Sequence, residues 1–134
     1  MANWYGTARS NYFKVKDADA FKAWVDSLSD CVLIERNGLY GFYSECPDSG
    51  GFPSQRYDDE TEDYVDIDMV GELSAHLVEG EVAILMEAGA EKVRYISGWS
   101  LAVAWDARTL GVNLADIYEK VKAEFGVAPT DATY

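Results

Sequence analysis

One histidine, two cysteines and three prolines are all this chain of 134 residues has of three residue types that build metal centres, thiol chemistry and sharp breaks. His76 stands alone, so there is no His-x-x-x-His pair, and Cys31 and Cys46 form no Cys-x-x-Cys motif. Those absences remove the usual transition-metal sites and the dithiol redox pair, and no cofactor or metal is expected. Gly-x-Gly-x-x-Gly, a Walker-type loop and a Gly-x-Ser-x-Gly elbow are also missing, and with them the familiar signatures of phosphate cradling and triad hydrolysis. No run approaches the roughly 20 apolar residues of a membrane span, and the opening residues show no basic segment followed by an apolar one. A soluble, cytoplasmic protein with two reduced thiols is the expectation.

Positive charge is the scarcest commodity in one region. Between Glu45 and Glu91 there are fourteen carboxylates and a single basic residue, Arg56, a net of −13; the ten acidic and ten basic residues elsewhere cancel. The entire formal charge therefore lies in the middle of the chain. Its densest part runs Tyr57-Asp58-Asp59-Glu60-Thr61-Glu62-Asp63-Tyr64-Val65-Asp66-Ile67-Asp68. Such a field repels nucleic-acid phosphate and anionic lipid and attracts a basic protein surface.

A hydrophobic content of 49% with 13% aromatic residues is that of a folded protein, and the length fits one domain over residues 1–134. Asn11 to Lys16 alternates as a half-buried strand, with Phe13 and Val15 on one side. Asp17 or Asp19 then caps a helix with an apolar stripe of Phe21, Trp24, Val25 and Leu28. Cys31–Arg36 and Leu39–Glu45 flank Asn37-Gly38, which suits a type I′ turn, so a hairpin is expected with Arg36 opposite Leu39 and Cys31 opposite Ser44. Apolar residues on both faces place that hairpin well inside a sheet.

Residues 46–65 read as a long acidic loop. A second helix follows, capped by Asp66 or Asp68, carrying Met69, Val70, Leu73 and Leu77 and ended by Gly80. Val82–Met86, Lys92–Ser97 and Trp99–Trp105 read as three successive strands, with Gly98 as a break. Asn113 caps a last helix with Leu114, Ile117, Tyr118, Val121 and Phe125 on one side, Gly126 at its end and Val127 packing back. The order β-α-β-β-loop-α-β-β-β-α predicts a two-layer α+β domain, about six mostly antiparallel strands with three helices on one face. Exposed edges of such a sheet would permit a dimer.

Two chemical tests fail on the acidic run. In the calcium-loop register starting at Asp66, Val70 stands at position 5 and Leu77 at position 12, where a bidentate Glu is needed. General acid-base work needs one desolvated carboxylate beside a solvated one, whereas a continuous run is solvated throughout. The expected role is therefore binding and not catalysis, with Asp58, Asp59, Glu60, Glu62, Asp63, Asp66 and Asp68 as charged contacts and Tyr57 and Tyr64 as aromatic anchors. The partner would be a nucleic-acid-binding protein whose groove the run occupies, as a DNA or RNA mimic does. Two alternatives compete: an immunity-type or antitoxin-type cover for a nuclease or toxin, and a small enzyme built around His76 or a buried carboxylate. A solvated run that serves only solubility is the plainest reading, and confinement of the charge to one window argues against it.

The opening Met1-Ala2-Asn3-Trp4-Tyr5 and the stretch Asn11-Tyr12-Phe13-Lys14-Val15-Lys16-Asp17 with Phe21 and Trp24 resemble small phage-borne and plasmid-borne proteins, the class that includes anti-restriction and anti-CRISPR inhibitors. The resemblance covers the first quarter of the chain and carries over no site. It implies a mobile-element setting in which acidic inhibitors of nucleic-acid machinery occur.

Overall fold

The computed structural model describes residues 4–47 and 49–132. Asp17 starts helix α1 (Ala18–Asp26), its carboxylate accepting from the N–H groups of Asp19 and Ala20 at 3.0 and 3.2 Å. This is an N-cap satisfying donors that the helix itself leaves open. The stripe read from spacing is the buried one. Phe21, Val25 and Leu28 are fully enclosed, and Phe21 meets Phe13 edge-on at 5.6 Å and 87°. Trp24 meets Phe42 at 5.4 Å and 84°.

Among the described residues the elements follow the order β1 (Tyr5–Ser10), α1, β2 (Cys31–Arg36), β3 (Leu39–Ser44), β4 (Gln55–Asp58), β5 (Asp63–Asp66), α2 (Met69–His76), β6 (Val82–Glu91), β7 (Tyr95–Ala104), β8 (Thr109–Asn113) and α3 (Asp116–Phe125). Six strands make an antiparallel sheet in the order β2-β3-β1-β6-β7-β8, and β4 and β5 pair separately. The protein is α+β as expected. Asn37 and Gly38 take the positive φ angles of the expected turn, 53° and 80°, and the register pairs Arg36 with Leu39 and Cys31 with Ser44. Yet β2 lies at the sheet edge and not well inside it.

The first strand lies six residues earlier than its alternation suggested. Asn11 is where the chain leaves the ladder: its amide donates to the Val82 carbonyl at 3.2 Å and accepts from the Ile84 N–H at 2.7 Å, replacing backbone partners. The residues after it cross from the sheet to α2. Phe13 exchanges both backbone hydrogen bonds with Tyr40, and Val15 bridges Leu77. Gly41 permits this crossing, because a Cβ there would stand 2.4 Å from the Asn11 carbonyl oxygen.

The second half also moves its boundaries. Strand β6 continues to Glu91, and β7 runs unbroken through Gly98, which pairs with Ala88 inside the ladder. The turns fall instead at Lys92 and Ala107, with φ of 50° and 70°. Asn113 ends β8 and donates its N–H to Asp116 Oδ2 at 2.8 Å, while Ala115 holds the N-cap position of α3 and makes no side-chain cap. Gly126 closes α3 in the left-handed conformation, φ 69°, as read. Helix α2 stops at His76, and Gly80, φ 92°, turns the chain into β6.

Residues alternating into one face of the sheet, Phe42, Ala83, Leu85 and Val103, join α1 and the Leu73 and Leu77 side chains of α2 in a single cluster. Helix α3 contributes nothing buried, and Val127 remains 58% exposed, so neither the third helix of a common layer nor the expected pack-back forms. Two helices, then, make the covering layer.

Phe21 touches five other rings and has no exposed surface. Phe21→Ala should lower the unfolding free energy by about 3–5 kcal/mol in urea denaturation. Val127→Ala should change it by less than about 0.5 kcal/mol.

Candidate functional site

The segment read as loop contains a hairpin because its β-branched and aromatic residues fall opposite one another: Arg56 pairs with Val65, Tyr57 with Tyr64 and Asp58 with Asp63. Alternation gives this hairpin two unlike faces. Arg56 turns toward α2 and forms an ion pair with Glu72. Tyr57 and Tyr64 stand on the other face, 52% and 63% exposed, with ring centroids 5.5 Å apart at 71°.

Glu72 holds the arrangement. Its Oε1 accepts from Arg56 and, at 2.9 Å, from the Trp24 indole N–H of α1, and its Oε2 accepts from the Asp68 backbone N–H at 3.2 Å. Asp68 in turn accepts from Gly71 N–H at 3.1 Å, which makes it and not Asp66 the cap of α2. One carboxylate thus ties the acidic hairpin, the first helix and the start of the second. Desolvation works to raise its pKa, but the hydrogen bonds from Trp24 and Arg56, the Arg56 charge and the Asp68 N–H outweigh it and hold Glu72 below the usual carboxylate range.

The fourteen carboxylates of the window divide into two groups. Several serve the fold: Glu81 accepts from Lys14 N–H at 2.8 Å, and Glu87 accepts from Phe52 N–H at 2.8 Å and from the Trp99 indole at 3.1 Å. Glu91 pairs with Arg94, and Glu45 accepts from the Tyr43 hydroxyl. Asp48 lies outside the described residues. The second group sits on the hairpin. Asp58, Asp59, Glu60, Glu62 and Asp63 crowd its tip, with Asp66 at the far end of β5 beside Gln55.

All of the expected contact residues except Asp58, which is half-buried, are exposed, and none of the seven carboxylates forms an ion pair with lysine or arginine among the described residues. Their hydrogen bonds are to uncharged neighbours: Asp58 accepts from Glu60 N–H at 2.9 Å, Asp63 from Tyr64 N–H at 2.8 Å and Asp66 from the Gln55 side-chain amide at 3.1 Å. Asp58 and Asp63 face each other directly across the strands, where like charges repel. A counter-charge brought to the tip relieves that repulsion. No group of three or more metal-ligating side chains occurs among the described residues.

His76 and Cys31 are half-buried. His76 packs between Phe21 and Trp24, ring centroids 5.7 and 5.4 Å away, and burial lowers its pKa against the opposing pull of Glu72. Cys31 is pushed up to about 11 by burial, with Asp30 and Cys46 adding to it, so its thiol stays protonated. Sequence reasoning missed Glu72 and Arg56 as positioning residues. The signal was present: Arg56 is the lone cation of the window, and a lone cation must have one preferred partner. Comparison with protein-family models, with curated proteins and with solved structures finds no match to this chain.

Arg56→Gln removes one end of this pin and should destabilise the protein by about 1.5–3 kcal/mol, the range for hydrogen bonds to charged groups. Proton linkage supplies a second expectation. His76 and Glu72 both have depressed pKa values in the fold, so each contributes stability at high pH that disappears on acidification. Loss should begin as pH falls below the ordinary histidine value of 6.5 and resume below the ordinary carboxylate value of 4.5. Urea midpoints against pH should show both steps, with His76→Gln flattening the first and Glu72→Gln the second.

Proposed function

We propose that the protein is an acidic binding module whose hairpin occupies a basic surface on another protein, most concretely a nucleic-acid-binding groove in a defence or replication complex. The observation that carries this reading is that the tip carboxylates are held out on a pinned hairpin without counter-ions among the described residues. Charge meant only for solubility has no need of an anchor.

Spacing supports the comparison with nucleic acid. A strand advances about 3.4 Å per residue, so two strands side by side offer one residue per about 1.7 Å of axis. B-DNA carries one charge per about 1.7 Å. At the tip, five of the six residues from Asp58 to Asp63 are acidic, so local density approaches the duplex value, and along the whole hairpin it is about half. The exposed Tyr57–Tyr64 pair supplies rigid apolar area beside the charges, as anchors do at interfaces.

The test is capture from host lysate at low and raised salt, with wild type and with Asp58→Asn, Asp59→Asn, Glu60→Gln, Glu62→Gln and Asp63→Asn combined. The expected result is a wild-type partner that elutes steeply with salt, is displaced by added duplex DNA or RNA, and is lost with the neutralised variant. A partner retained equally by both proteins would overturn the site. A partner that DNA and RNA fail to displace would overturn the mimicry and favour a toxin cover.

A further inference from the structure

Only one face of the six-stranded sheet is covered. In the ladder register, Leu85, Leu101 and Phe42 point to the layer formed by α1 and α2. The residues alternating with them form rows such as Ile84, Ala102 and Leu110, or Met86, Ser100 and Val112. Across β1, β6, β7 and β8 this second face has a single charged side chain, Arg9. An antiparallel sheet that meets water alternates apolar with polar. Here the alternation fails, and Tyr5, Met86, Ile96, Leu110 and Val112 are each more than half exposed.

Helix α3 repeats the anomaly. Its apolar stripe follows the helical period, yet Ile117 and Phe125 are 54% and 71% exposed, as is 56% of Leu114 just before it. A groove of about 340 Å³ opens where Leu114 approaches the sheet, walled by Met86, Val112, Gly98 and Thr7. The same chain therefore carries an apolar sheet face and an apolar helix stripe, both without cover.

We propose that a second copy of this chain supplies the cover, in a two-fold dimer where α3 of each copy lies across the open face of β6, β7 and β8 of the other. Self-complementarity is what an isologous interface requires: the stripe of one copy meets the face of its partner, and the reverse. Charge selects the occupant. Two molecules of −13 repel, but residues 92–132, which carry β7, β8 and α3, hold five acidic and five basic side chains and are neutral. The carboxylates of β6, Glu87 and Glu91, point to the covered face. Two copies can thus meet without bringing their acidic windows together. The area suffices: eight large side chains at roughly 100 Å² each come to about 800 Å², one partner's share of a standard interface.

Sedimentation equilibrium on the full chain across the micromolar range should give twice 14.9 kDa, unchanged or tightened by salt. Met86→Lys with Val112→Lys should return the monomer mass with an unaltered circular dichroism spectrum. Ile117→Ser with Phe125→Ser, on a helix that buries nothing in its own chain, should do the same and keeps the test open if the lysine pair misfolds. A wild-type mass of 14.9 kDa, a dimer indifferent to both double variants, or an assembly that grows without limit would each overturn the proposal. All these variants retain the hairpin carboxylates, so failure here leaves capture by the acidic surface unaffected.

Discussion

The carboxylate of Glu72 is the constraint on which the arrangement of the acidic third depends. Without it, a hairpin of four-residue strands paired only to each other has little reason to hold a fixed place. With it, the hairpin is joined through Arg56 and Trp24 to the α1 layer, whose own position is set by Phe21 and Phe42. The joint carries a cost of its own. Arg56 Nε is buried without a hydrogen-bond partner, a penalty of about 1–3 kcal/mol. Retaining a half-buried guanidinium at that cost makes sense where position matters, since an unanchored loop would serve solubility as well.

Much of this was legible because local rules and tertiary packing agreed. The α1 stripe, the Asn37-Gly38 turn and the Gly126 stop each rest on residues close together in sequence, and each occurs where the local pattern puts it. Two of the misreadings arise at residues whose partners are distant in sequence. Asn11 ends a strand because its side-chain amide donates to the Val82 carbonyl and accepts from the Ile84 N–H, and nothing near Asn11 announces these partners. Gly98 reads as a break, but its small size serves the approach of Leu114, whose Cδ1 would stand 3.3 Å from a Cβ there. The β4–β5 hairpin was hidden by its charges. Seven carboxylates in twelve residues suggest a loop, and only the cross-strand match of Arg56 with Val65 and Tyr57 with Tyr64 reveals pairing.

The candidate site was legible in composition and not in construction. Counting charges identified the window, but the count treated fourteen carboxylates alike. Glu72, Glu81 and Glu87 are internal hydrogen-bond acceptors whose replacement would disturb the fold, whereas the tip residues have solvent and one another. Distinguishing them needs the partners, which span up to 67 positions in sequence for Glu81.

Charge and apolar surface are separated on this molecule, and the separation has a physical consequence. Long-range attraction from the hairpin accelerates encounter with a cation and weakens with salt, while burial of the open sheet face is short-ranged and resists it. If both proposed surfaces operate, a dimer presents two acidic hairpins at a fixed separation, and engagement of one raises the effective concentration of the other at a second basic site. The gain exists only where the partner offers two sites at matching distance. A single groove would be filled by one hairpin, leaving its twin in solvent, so the stoichiometry of a complex would reveal whether the partner is itself repeated or two-fold.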